Sequence, residues 1–175
     1  MNLKPQDIVV LLKLCGYVPE VRPPYAAIAA ELGMSPSEIH SAVKRLQRSR
    51  LLHGPEMGEQ PNITSLEEFL VHGIKYSFPA ERGGLTRGMP TSYAAEPLSK
   101  LIALGDEPAP VWPDPKGTIR GVALIPLYKT VPAAAKRDPL LYARLAMVDA
   151  IRDGRSRERS LAENELRNSL KQIYA

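Results

Sequence analysis

The chain has 175 residues, of which 44% are hydrophobic and 24% charged, with a formal net charge of +4. That is the composition of a globular protein of one domain or two small ones, long enough to bury a core without cross-links. No run approaches the roughly 18 consecutive apolar residues that cross a membrane, and Met1-Asn2-Leu3-Lys4-Pro5 lacks the apolar stretch of a secretory signal, so a cytoplasmic chain without membrane contact is expected. Cys15 is the only cysteine and His40, His53 and His72 are scattered, which excludes an intramolecular disulfide and an ordinary zinc constellation. No metal and no cofactor is expected.

In chain order, Ile8, Leu11, Leu12 and Cys15 recur at helical spacing between Pro5 and Gly16, predicting a first helix with the thiol on its buried stripe. A short second helix is predicted over 25–32 after Pro23-Pro24. Ser35-Pro36-Ser37-Glu38 has the form of a capping box that opens a third helix. Eleven of the seventeen prolines lie between Pro55 and Pro132, so the middle of the chain is expected to consist of turns, extended segments and short helices. There a short helix starts at Ser65, 73–78 alternates like a strand, and Val111-Trp112 and Thr118 to Tyr128 read as strands reversed by Pro113 to Gly117. Asp138-Pro139 then caps a helix running to about Arg152 with Leu141, Leu145 and Val148 on one side. A last helix carries Ala162, Leu166, Leu170 and Ile173 on one face.

Residues 1–53 carry seven Lys/Arg and four Asp/Glu, residues 54–136 eight and nine, and residues 137–175 eight and six. The basic excess therefore sits at the two ends. In the predicted third helix, Ile39, Ala42, Val43 and Leu46 gather on one side of the helical wheel, and Ser37, His40, Ser41, Lys44, Arg45 and Arg48 on the other, with no acid among them. Short polar groups near a helix start suit base edges in the major groove, and long cations further along suit phosphates. Arg22 and Tyr25, at the entrance of the preceding helix, are placed to add phosphate contacts.

The spacing of Ala29, Gly33 and Ile39, with Ile28 and Leu32 as a buried pair and Ser35 as cap, resembles the helix-turn-helix of bacterial regulators. Leu46 and Arg50-Leu51-Leu52 are similar to the end of the recognition helix in winged-helix proteins of the MarR-like kind. The resemblance covers residues 5–53. It implies a sequence-specific double-stranded DNA-binding protein, a bacterial transcriptional regulator, with residues 36–50 in the major groove and Arg22, Tyr25, Ser35, Ser37, His40, Ser41, Lys44, Arg45 and Arg48 at the DNA. Where a wing would follow, His53 to Asn62 holds two glutamates and neither lysine nor arginine, which departs from the family pattern and argues against a minor-groove grip.

Residues 81–92 bring together three glycines, two arginines and three hydroxyls. Such a segment is expected to be an ordered loop with glycines at positive φ. A second use is an anion or DNA-backbone loop formed by Arg82, Gly83, Gly84, Thr86 and Arg87. No nucleophile with a base, metal cluster or carboxylate pair suggests catalysis, so an enzyme is not expected. The fold class expected is α+β: a winged helix-turn-helix at 1–60, a proline-rich α+β segment at 61–136 and a helical pair at 137–175 whose amphipathic faces suit a homodimer. The alternative from another class is an antitoxin-like or adaptor module that binds a protein partner.

Overall fold

The structure is a computed structural model and describes residues 2–172. The apolar stripe of the first segment folds as α1 (Pro5–Leu14), the Pro-Pro signal opens α2 (Tyr25–Leu32), and the capping box opens α3 (Pro36–Arg48). At α3 the Ser35 hydroxyl accepts from the Glu38 amide at 3.2 Å, and the Glu38 carboxylate accepts from the Ser35 amide at 2.7 Å. Gly33 ends α2 in the left-handed region at φ +69°. Any side chain there would be strained and would also press on Thr130.

After α3 the chain makes a minimal hairpin held by a single bridge between Leu52 and Pro61, with one 3-10 turn at Pro55–Met57 between them. Then come α4 (Ile63–His72) and α5 (Ile74–Ser77). Two expectations change here. The helix expected to start at Ser65 starts at Ile63, capped by Asn62, whose side-chain oxygen accepts from the Ser65 amide. The segment expected as a strand at 73–78 is instead the single turn α5, whose Ile74 packs inward, fully buried.

Three strands follow: β1 (Arg82–Pro90), β2 (Pro110–Pro113) and β3 (Ile119–Leu124). The stretch expected as a glycine loop is therefore a strand, and neither Gly83 nor Gly84 has positive φ. β1 runs antiparallel to both others, opposing Met89 to Trp112 on one side and Thr86 to Gly121 on the other, so the three strands close on one another. β2 and β3 pair in parallel, which overturns the expected antiparallel pair. A tight turn is present, with the Gly117 amide donating to the Asp114 carbonyl, but it does not reverse the strand direction. It returns the chain to Gly88 of β1, and β1 occupies the antiparallel position. Closure this tight needs absent side chains: a Cβ on Gly117 would lie 2.3 Å from the Gly88 backbone.

A helix not expected from the sequence, α6 (Val131–Arg137), precedes α7 (Pro139–Asp153) and α8 (Ser156–Lys171). The Asp138 cap of α7 accepts from the Leu141 amide as expected. Yet α7 is buried on nearly every side and packs against α1, α4, α5, α6 and α8. Ala162, Leu166 and Leu170 of α8 belong to the same buried cluster, so these faces are covered within the chain; Ile173 lies outside the described residues. The fold is thus α+β, with eight α-helices and one three-stranded sheet among the described residues. One apolar core runs from Ile8 to Leu170, and each fully buried Leu or Ile contributes roughly 1.5–3 kcal/mol to it.

Candidate nucleic-acid interface

Ile39, Ala42, Val43 and Leu46 anchor α3 in the core, which leaves its other side toward solvent. On that side Ser37, His40, Lys44 and Arg48 are exposed and Ser41 is half-buried. Neither Lys44 nor Arg48 forms an ion pair among the described residues. The short polar groups occupy the first half of the helix and the cations the second, as expected.

Arg45 does not belong to this face. It is only 8% exposed and makes a two-pronged contact with Asp7 of α1, which is fully buried: its Nε and Nη2 donate to the two carboxylate oxygens at 2.7 Å each. The hydrogen bonds to Asp7 favour the charged guanidinium against the opposing effect of burial. Because the Asp7 carboxylate also accepts from the Lys4 amide at 2.8 Å, one side chain starts α1 and clamps α3. Ser35 likewise works as a cap, with its hydroxyl engaged by the Glu38 amide.

The entrance of α2 meets the hairpin. The Tyr25 hydroxyl donates to Glu59 at 2.7 Å, and Arg22 reaches the Gly58 carbonyl at 3.5 Å. Burial and the hydrogen bond to Glu59 push the Tyr25 phenol above its usual range. The Tyr25 ring lies 6.2 Å from His40, so α2, α3 and the hairpin converge at this corner. α2 has no side-chain cap at its start. Tyr25 and Arg22, expected at phosphates, instead turn their polar ends to the acidic hairpin that stands where a wing would follow.

The far side of the turn is buttressed by residues that the sequence did not single out. The hydrogen bond from the Ser35 backbone, joined by Tyr128 donating at 2.8 Å, holds the Glu38 carboxyl below the usual carboxylate range. Arg137 of α6 donates to the carbonyls of Ala30 and Glu31 at the end of α2, at 3.2 and 3.4 Å. At the start of α7, Lys13 reaches both Asp138 and Glu31, at 2.7 and 2.6 Å. Burial would lower the Lys13 pKa, but these two carboxylates raise it above the usual lysine range. No local pattern marks any of these partners, because each lies far away in sequence.

The segment 81–92 divides. Arg82 is committed to Asp153 through paired contacts of 2.7 to 3.1 Å. Thr86 is half-buried, while Arg87 is exposed and donates to the Gly117 carbonyl at 3.4 Å. Thr91 is buried: with Trp112 and Arg152 it bonds Asp149, whose carboxyl is pushed up by complete burial. Cys15 is buried as expected for its stripe, and that burial pushes its thiol up to about 12. Among the described residues, no three His, Cys, Asp or Glu side chains gather as a metal would require, and no helix is long and apolar enough to cross a membrane. Comparison with protein-family models, with curated proteins and with solved structures returned no match.

Proposed function

We propose that the chain is a sequence-specific double-stranded DNA-binding protein of the winged helix-turn-helix kind, a bacterial transcriptional regulator that places α3 in the major groove. One observation carries this: an outward helix face with Ser37, His40 and Ser41 ahead of Lys44 and Arg48, free of acids and with both cations unpaired among the described residues. Such a face joins hydrogen-bonding groups short enough for base edges to charges long enough for phosphates. Selection of duplexes from a random pool, followed by binding at graded salt, tests it. A common sequence and a steep salt dependence are expected, and recovery of no DNA overturns it.

Regulators of this kind join two half-sites about one DNA turn apart, so we also propose a homodimer. Its surface lies outside the apolar faces of α7 and α8, which the chain's own core occupies. Light scattering at micromolar concentration should report twice the chain mass; a monomer alone with and without DNA counts against it.

One observation favours a second reading. Glu59 binds Tyr25 in the hairpin that Arg22 also reaches, and Glu56 lies in the same hairpin, where a phosphate backbone would meet acid. An antitoxin-like or adaptor module that presents this corner to a protein partner predicts a stoichiometric partner in pull-downs after nuclease treatment, with no selected DNA.

A further inference from the structure

In the antiparallel register of β1 and β3, Arg87 stands directly opposite Arg120. Directly opposed residues share one face of a sheet, with Cβ atoms roughly 4.5–5.5 Å apart, and like charges in that position are destabilising. Both arginines are exposed, and neither forms an ion pair among the described residues. A third cation, Lys116, is exposed in the adjoining turn, whose Gly117 carbonyl accepts from Arg87. The acid of that turn, Asp114, is already engaged by Lys136 and by the Lys116 amide. The cluster therefore carries positive charge that its nearest acid does not offset. An anion seated between the two guanidiniums removes their mutual repulsion as well as forming charge-assisted hydrogen bonds, so the pair has more to gain from a phosphate than two separated arginines have.

The cluster is connected to the end of the helix pair. The Asp114 amide donates to the Arg87 carbonyl at 3.1 Å, Asp114 binds Lys136 of α6, and the next residue, Arg137, binds the last carbonyls of α2. The chain of contacts thus runs from the sheet to the helix that leads into α3. We infer that Arg87 and Arg120, with Lys116, form a second phosphate-contacting element that engages the backbone of the duplex read by α3. This rests on the DNA reading above and extends its footprint to the sheet.

The test is binding of the selected duplex by the full chain, followed by anisotropy between about 50 and 200 mM salt. With about 0.9 counterions released per phosphate, removing two contacts by Arg87→Ala with Arg120→Ala should shrink the loss of affinity across that range by about tenfold. Arg120→Gln alone should give about half the change in slope and serves if the double variant folds poorly. Without DNA, both variants should melt at or above the wild-type temperature, since a like-charge pair is removed. If Lys44→Ala lowers the slope while the Arg87 and Arg120 variants leave it unchanged, the sheet element is overturned and the DNA reading stands. If the wild type binds no duplex in a salt-dependent way, both fall. If the sheet variants keep the full DNA slope but lose a stoichiometric acidic protein from pull-downs, the face belongs to that protein and the proposal is overturned.

Discussion

Two stretches of this chain carry nearly the same density of positive charge and use it in opposite ways. Lys44 to Arg50 holds four bases in seven residues, and Arg152 to Arg159 holds four in eight. In the second stretch, Arg152 binds Asp149 and the Phe78 carbonyl, Arg155 binds Glu107, and Arg159 binds the Gly154 carbonyl. Those cations tie α7 and α8 to the rest of the protein. In the first stretch only Arg45 is spent this way, and Lys44 and Arg48 face solvent. The two stretches thus differ in how many of their charges already have partners among the described residues, which a count of bases does not reveal.

The sharpest way to break that contrast is at its buried exception. Asp7→Ala leaves Arg45 buried without its carboxylate and should cost about 3–5 kcal/mol in denaturant unfolding, while Asp7→Leu with Arg45→Met should recover most of it. An unshifted midpoint for Asp7→Ala would put Arg45 back among the free cations. In the structural corner, Asp149→Ala strips acceptors from Trp112, Thr91 and Arg152 together and should cost about 3 kcal/mol, read the same way. Lys44→Ala and Arg48→Ala should do the reverse: stability within about 0.5 kcal/mol of wild type, but a salt slope of DNA binding lower by about one counterion each.

Smaller effects come from pH and from the exposed pairs. The Glu31 and Asp138 carboxyls are lowered in the folded protein, Glu31 chiefly by its hydrogen bond from Lys13, and Asp138 by its own bond from Lys13 against an opposing burial. Their contribution is therefore complete above the ordinary carboxylate range and is lost as pH falls below about 4. Lys13 has the opposite sign: its contribution is complete below the usual lysine range and is lost only as pH rises through the raised value. Melting temperature should hold across neutral pH and drop by a few degrees in acid, with Lys13→Met showing a weaker drop. Least of all, Arg155→Ala at its exposed contact with Glu107 should change stability by under about 0.5 kcal/mol and leave the salt slope alone.

The first three helices were legible because their signals are local: Pro5 and Gly16 bound one, Gly33 turns the chain, and the Ser35 and Glu38 box starts another within four residues. The sheet was not, since its pairings join Arg82 to Leu124 and Gly88 to both Pro113 and Ile119, and glycines in a tightly closed strand have the composition of a loop. Arg45 was misplaced for a related reason. It stands about 60° from Ala42 on the helical wheel, at the edge of the buried arc, and only Asp7, the one acid of α1, hinted that a partner lay within. The exposed half of the candidate face was read from helical periodicity alone. The hairpin acids and the Tyr128 and Arg137 buttress needed the fold.

Trp112 is the one tryptophan of the chain, buried against Tyr142 at 5.6 Å between ring centres, with its indole nitrogen donating to Asp149. Its emission is accordingly an intrinsic optical gauge of whether the sheet remains seated on α7. Because that indole is already buried and hydrogen-bonded, its emission reports unfolding without any label on the protein.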